Sequence, residues 1–131
     1  MILVLAHGCF DILHIGHVMH LEAARALGDR LIVTVSLDQH VNKAGRPIFN
    51  HHLRKHMLGA LRVVDESYLS PHEGGAWSII RYQPKIYVKG CDYRDGGISG
   101  DELAACKSVG AEVVYTDTPK YSSSDYTRYF K

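Results

Sequence analysis

Ile2-Leu3-Val4-Leu5-Ala6-His7-Gly8-Cys9-Phe10-Asp11-Ile12-Leu13-His14-Ile15-Gly16-His17 decides the fold, because within these residues an apolar block meets a glycine turn and then a helix start. The run Ile2 to Ala6 reads as a buried strand and His7-Gly8 as the turn that ends it. From Gly16 to Leu27 the residues Val18, Leu21, Ala24 and Leu27 recur at helical spacing, and Gly28 is placed to stop the helix. A strand that turns directly into a helix is the opening of a parallel α/β chain.

The same alternation continues downstream. Leu31-Ile32-Val33-Thr34-Val35 is a second β-rich run, followed by a polar stretch, Asp38 to Asn50, that holds Gly45 and Pro47 and reads as a long functional loop. His51 to Arg62 is helix-like, with Leu53, Met57, Leu58 and Leu61 expected on one buried stripe, and Val63 to Leu69 supplies a third strand. Trp77, Ile79 and Ile80 mark the next helix, and Lys85 to Val88 is a fourth strand running into Lys89-Gly90. Asp101 to Val109 is a helix ended by Gly110, Glu112 to Tyr115 is the fifth strand, and a last helix can be capped by Ser122, Ser123 or Ser124. The expected architecture is a Rossmann-like α/β fold: an open parallel sheet of five strands with helices on both faces, binding its ligands beyond the carboxyl ends of the strands.

Composition narrows the function classes. At 131 residues with 46% apolar and 22% charged residues, the chain fits a single domain, 1–131, able to build an ordinary core. A net charge of +1 with nine neutral histidines argues against nucleic acid as a partner and against polybasic membrane docking. The three cysteines are odd in number and unpaired in spacing, and the start is too short and uncharged for a signal peptide, so a reduced cytoplasmic location is expected. No apolar run approaches the roughly 18 residues of a membrane helix.

The chemistry concentrates at the first turn. Gly8 and Gly16 let backbone approach an anion, the helix N-terminus favours negative charge, and His14 and His17 add donors that can follow charge onto a bridging oxygen. On its own, a His-x-x-His pair is often a surface feature; at the first strand-to-helix junction it points to a phosphate. A zinc reading draws on His14, His17 and His20 at spacing three with Cys9 nearby, but Gly16 between the first two histidines and the lack of a downstream carboxylate pattern count against it, and no metal ligands are assigned.

Gly8-Cys9-Phe10-Asp11-Ile12-Leu13-His14-Ile15-Gly16-His17, followed by Gly28-Asp29-Arg30-Leu31-Ile32-Val33, resembles the cytidylyltransferase-like nucleotidyltransferases with their HIGH-type motif. The likeness continues through Lys43-Ala44-Gly45-Arg46-Pro47, Leu53-Arg54-Lys55, Val88-Lys89-Gly90-Cys91-Asp92-Tyr93 and Ser122-Ser123-Ser124, in family order over nearly the whole chain. Within the family it looks most like the adenylyltransferase domain of heptose-phosphate enzymes, with glycerol-3-phosphate cytidylyltransferase and archaeal FAD synthetase as further relatives. The resemblance implies transfer of NMP from ATP or CTP to a small phosphorylated acceptor with release of pyrophosphate, Mg2+ arriving with the triphosphate, and a homodimer.

Carried over by position, the resemblance implies that His14 and His17 stabilise charge on the α-phosphate and leaving pyrophosphate, with Lys43 and Arg54 completing the catalytic set. It places Gly8, Cys9, Phe10, Asp11 and Gly16 around the nucleotide, with Asp11 in an ordering role rather than as a base. Lys89, Gly90 and Asp92 would flank base and ribose, and Ser122, Ser123 and Ser124 would cradle β- and γ-phosphates. Arg46 and Lys120 are candidates for the acceptor phosphate. Glycerol-3-phosphate cytidylyltransferases carry an arginine shortly before the hydroxyl motif, whereas this chain reads Asp117-Thr118-Pro119-Lys120-Tyr121, so a sugar 1-phosphate is the favoured acceptor. A glycerol- or other alcohol-phosphate cytidylyltransferase is the alternative inside the class, and a non-catalytic nucleotide-binding regulatory module the alternative outside it.

Overall fold

A computed structural model describes residues 1–90 and 97–117. Five strands, β1 (Leu3–Gly8), β2 (Arg30–Ser36), β3 (Glu66–Ser70), β4 (Ile86–Gly90) and β5 (Glu112–Thr116), form one sheet in the order β3-β2-β1-β4-β5. Every neighbouring pair is parallel. The helices between them are α1 (Ile15–Arg25), α2 (His51–Gly59), α3 (Ala76–Tyr82) and α4 (Gly100–Val109). The final helix expected from Ser122 onward lies outside the described residues.

Strand alternation divides the core in two. Val4, Ala6, Val33, Val35 and Val88 face Leu21 and Ala24 of α1 and Leu58 of α2, while Leu5, Ile32 and Tyr87 face Ile79 of α3 and Ala105 and Cys106 of α4. Helices therefore cover both faces, as a sheet buried on both sides requires. The chain leaves β1 toward β2 and β3 on one side and returns to β4 on the other, so β1 and β4 flank the topological switch point, where a crevice opens beyond their carboxyl ends. Among the described residues no helix is long and apolar enough to cross a membrane.

Two local expectations are corrected. The stripe expected on α2 holds for Leu58, which is fully buried, and for Leu61, which packs against the same core, but Leu53 and Met57 are exposed and Arg54 is buried in their place. Asn50 caps this helix through its side chain, which accepts the Leu53 N–H at 3.0 Å, and Arg54 points inward because its guanidinium finds acceptors on Cys9, Phe49 and Asp38. The third strand begins at Glu66 rather than Val63, because the Val64 N–H closes a turn onto the Leu61 carbonyl at 3.1 Å and the chain reaches β2 only at Asp65, whose backbone and side chain both bond Leu31.

Candidate active site

The first turn is built around Phe10, which adopts a positive φ of 52° and buries its ring in the core shared with α1 and α2. A methyl group on Gly8 would come within 2.9 Å of that ring, so glycine is needed where the chain doubles back. Phe10 in turn meets His17 edge-on, with ring centroids 5.6 Å apart.

His14 is the N-cap of α1. Its Nδ1 accepts the Gly16 N–H at 3.1 Å, and Nδ1 of His17 accepts the His14 N–H at 3.2 Å. Backbone N–H groups expected to meet an anion directly are thus bonded to the histidines instead. A ring nitrogen that accepts carries no proton, so in each neutral imidazole the proton sits on Nε2. The rings lie 4.0 Å apart, and burial, reinforced by His14 and His20, lowers the His17 pKa from 6.5 to about 4. The result is a pair of histidines with matched tautomers at the positive end of a helix whose first turn contains no acidic residue.

Asp11 is buried and orders the following loop. Its carboxylate accepts the backbone N–H groups of Ile48 and Phe49 at 2.8 to 2.9 Å and pairs with Arg46 at 3.0 Å. Burial alone would raise its pKa, but these donors outweigh it and hold the carboxyl below its ordinary value. Arg46, a candidate for the acceptor phosphate, is engaged by Asp11, with its guanidinium turned toward the protein.

Arg54, placed by the resemblance in the catalytic set, is fully buried beneath the loops. Its guanidinium donates to the Cys9 carbonyl at 2.8 Å, to the Phe49 carbonyl at 2.9 Å and to Asp38 Oδ1 at 2.7 Å. One side chain thereby ties the turn after β1, the end of β2 and the start of α2. Lys43 is exposed at a turn closed by Arg46 N–H to the Lys43 carbonyl at 3.0 Å, where Gly45 takes the φ of 72° that this turn requires.

At the switch point, Lys89 and Gly90 end β4. The Lys89 ammonium pairs with Glu102 at 3.3 Å, and Glu102 also accepts from the Tyr87 hydroxyl and from Ser99 Oγ at 3.1 Å. Burial would raise the Glu102 pKa; Tyr87, Lys89 and Ser99 outweigh it and lower it. His7, at the end of β1 on the same face, meets Thr34 Oγ1 at 2.9 Å and Ser36 Oγ at 3.3 Å. Burial, aided by Lys89, lowers its pKa to about 4. Sequence reasoning passed over Glu102, Tyr87, His7 and Asp38. Glu102 alone left a trace, since the Ser99-x-x-Glu102 spacing places it in the first turn of a capped helix.

Cys9 is half-buried and Gly16 lies in the first turn of α1. Asp92, Lys120, Ser122, Ser123 and Ser124 lie outside the described residues. Among the described residues no three His, Cys, Asp or Glu side chains converge as a metal site, and the Asp11 carboxylate is already filled by protein donors.

The cytidylyltransferase-like family model matches residues 5–128. The chain is 43% identical over 103 residues to the bifunctional protein HldE of Coxiella burnetii, covering 76% of this chain and 22% of that one. It is 36% identical over 130 residues to the bifunctional protein HldE of Methylobacillus flagellatus, covering 96% and 26%. The chain thus spans about a quarter of these curated relatives. Among solved structures, the lipopolysaccharide core biosynthesis protein of Thermoplasma volcanium superposes with a TM-score of 0.75 at 33% identity, over 93% of this chain and 99% of that one. Pantothenate synthetase of Thermus thermophilus shares the fold at 16% identity, with a TM-score of 0.60 over 90% of this chain and 56% of its own. With a family model matched over almost its entire length and the histidine pair seated at the switch point of the expected sheet, the chain belongs to the cytidylyltransferase-like family of nucleotidyltransferases.

Proposed function

We propose that the chain transfers AMP from ATP to a sugar 1-phosphate and releases pyrophosphate, with CTP as the lesser donor. The observation that carries this reading is the pair of Nε2-protonated histidines at the N-terminus of α1, beside the switch point. A phosphate oxygen of the acceptor attacks the α-phosphorus, and the bond from that phosphorus to the α,β-bridging oxygen breaks. The electron pair leaves with pyrophosphate. The acceptor phosphate is already ionised near neutral pH, so the step needs no general base, in keeping with an Asp11 whose oxygens are all engaged.

Charge moves onto the bridging oxygen as the bond breaks, and donors already aimed there stabilise the transition state without reorganising. His14 and His17 are suited to this because Nδ1 of each is taken by a backbone N–H, which leaves Nε2 as an oriented donor whose hydrogen bond strengthens as the oxygen gains charge. Lys43, on an exposed loop, can close on the β- and γ-phosphates. Mg2+ enters with the triphosphate as part of the substrate. The sugar 1-phosphate is supported by the resemblance to heptose-phosphate adenylyltransferases and, more distantly, by the 33% identity to a protein described as acting in lipopolysaccharide core biosynthesis. The same resemblance supports a homodimer working in the cytoplasm, which sedentary measurements such as equilibrium sedimentation and fractionation would check.

The test is a matrix of ATP and CTP against a heptose 1-phosphate and glycerol 3-phosphate, scored by pyrophosphate release with Mg2+ present. ATP with the heptose 1-phosphate should rank first. If CTP with glycerol 3-phosphate wins, the acceptor assignment is wrong; if nothing turns over while nucleotide still binds, the chain is a binding module.

A further inference from the structure

Lys89 and His7 are the next-to-last residues of β4 and β1, the two strands that flank the switch point. Their side chains share the face of Tyr87 and Leu5, two residues away on each strand, which is the face covered by α3 and α4. His14 and His17 belong to the opposite side, where α1 packs and where Phe10 touches His17. Nucleotidyl transfer runs in line, with the attacking oxygen entering opposite the leaving pyrophosphate. A triphosphate held on the α1 side therefore calls for an acceptor arriving from the α3/α4 side, and Lys89 is a cation placed there.

That cation has a built support. The side chains of Lys89 and Glu102 are only 11% and 10% exposed, and their charged atoms lie 3.3 Å apart. The Tyr87 hydroxyl and Ser99 Oγ both donate to the Glu102 carboxylate, and the Glu102 N–H donates to Ser99 Oγ at 3.2 Å, so the carboxylate is held from several directions. The ammonium also lies 5.5 Å from the centre of the Tyr87 ring. A partly buried lysine without a fixed anion would turn to water or lose its proton; this one is given a direction.

We propose that Glu102 is a positioning residue which, acting through Lys89, sets the cation that receives the phosphate of the sugar 1-phosphate acceptor. This rests on the transfer reading above. It assigns Lys89 to the acceptor rather than to base and ribose.

The test varies ATP and a heptose 1-phosphate in turn for the wild type, Lys89→Met, Glu102→Gln and the double variant. Lys89→Met should raise the acceptor KM about tenfold or more, the scale of one charge-assisted hydrogen bond, and leave the ATP KM within about twofold. Glu102→Gln should raise the acceptor KM in the same direction, and the double variant should be no worse than Lys89→Met, because both act through one contact. A purely structural role would move both KM values together. If Glu102→Gln does not fold, Tyr87→Phe and Ser99→Ala each remove one donor to the same carboxylate and should raise the acceptor KM less. An ATP KM that rises alone, additive effects in the double variant, or an acceptor KM unmoved by every change at Glu102 and its donors would overturn the proposal. A wild type that shows no turnover with ATP and a heptose 1-phosphate would instead overturn the transfer reading, and this proposal with it.

Discussion

His17 accepts the backbone N–H of His14 at 3.2 Å through Nδ1, while His14 accepts the Gly16 N–H through its own Nδ1 at 3.1 Å, so each imidazole is oriented by the backbone of one turn. Replacing either by Ala should lower turnover by about a hundredfold or more, the scale of one preorganised donor to transition-state charge. His→Asn should recover little, since its amide cannot both cap the helix and place an N–H where Nε2 lies. Pyrophosphate release by folded variants measures this, and near-wild-type turnover in the double Ala variant would remove the histidines from the mechanism.

Arg54 and Lys43 should separate cleanly by assay. Arg54→Ala leaves the Cys9 and Phe49 carbonyls without their buried donor and Asp38 without its arginine, which should cost about 2–4 kcal/mol of stability in denaturant unfolding, mostly from the two carbonyls. Arg54→Lys should restore little of it, because an ammonium cannot reproduce the planar fork that reaches three acceptors. Lys43→Ala, at an exposed turn, should leave stability unchanged and lower turnover more than nucleotide affinity. A stable Arg54→Ala protein with a raised acceptor KM would return Arg54 to the substrate side.

These two residues show where sequence reading stops. The order of strands and helices was legible because apolar runs such as Leu31 to Val35 have a period, and the first turn was legible because Gly8, Phe10 and the two histidines sit in a compact motif. The phase of α2 was not legible. Leu53 and Met57 look like core residues and Arg54 like surface, until acceptors on Cys9, Asp38 and Phe49 draw the guanidinium inward beside Leu58. The same holds for Glu102, whose partners Tyr87 and Lys89 come from another strand, and for His7, which needs the β1–β2 register to meet Thr34. Local patterns carry local structure; buried polar networks form between segments and leave little trace in either one.

Gly75 is a further case of distant packing. Its φ of −91° suits any residue, yet a Cβ there would lie 2.1 Å from the Tyr87 hydroxyl and 3.0 Å from Glu102 Oε2. Gly75→Ala should therefore destabilise the protein by about 1–3 kcal/mol through overpacking. Combined with Tyr87→Phe, the loss should be smaller than the sum of the two single effects, since the hydroxyl is the atom in the way. Thermal or denaturant unfolding checks both, and simple additivity would mean that the backbone moves aside instead.

Acid stability should follow the two shifted histidines. The pKa values of His7 and His17 fall from 6.5 to about 4, mainly through burial, with Lys89 adding to the effect on His7 and His14 to that on His17. Between those values the unfolded chain binds protons that the folded chain does not, so stability present above pH 6.5 is lost progressively as pH falls toward 4. Each group contributes at most about 1.4 kcal/mol per pH unit to that slope. Below this window Asp11 and Glu102 continue the loss, because their lowered pKa values make the unfolded carboxylates take up protons first. Denaturant midpoints measured from pH 7 to 4 should decline for the wild type and decline less steeply for a His7→Asn, His17→Asn double variant. An equally steep decline in that variant would mean that other groups set the acid sensitivity and that the two imidazoles are not held neutral by the fold.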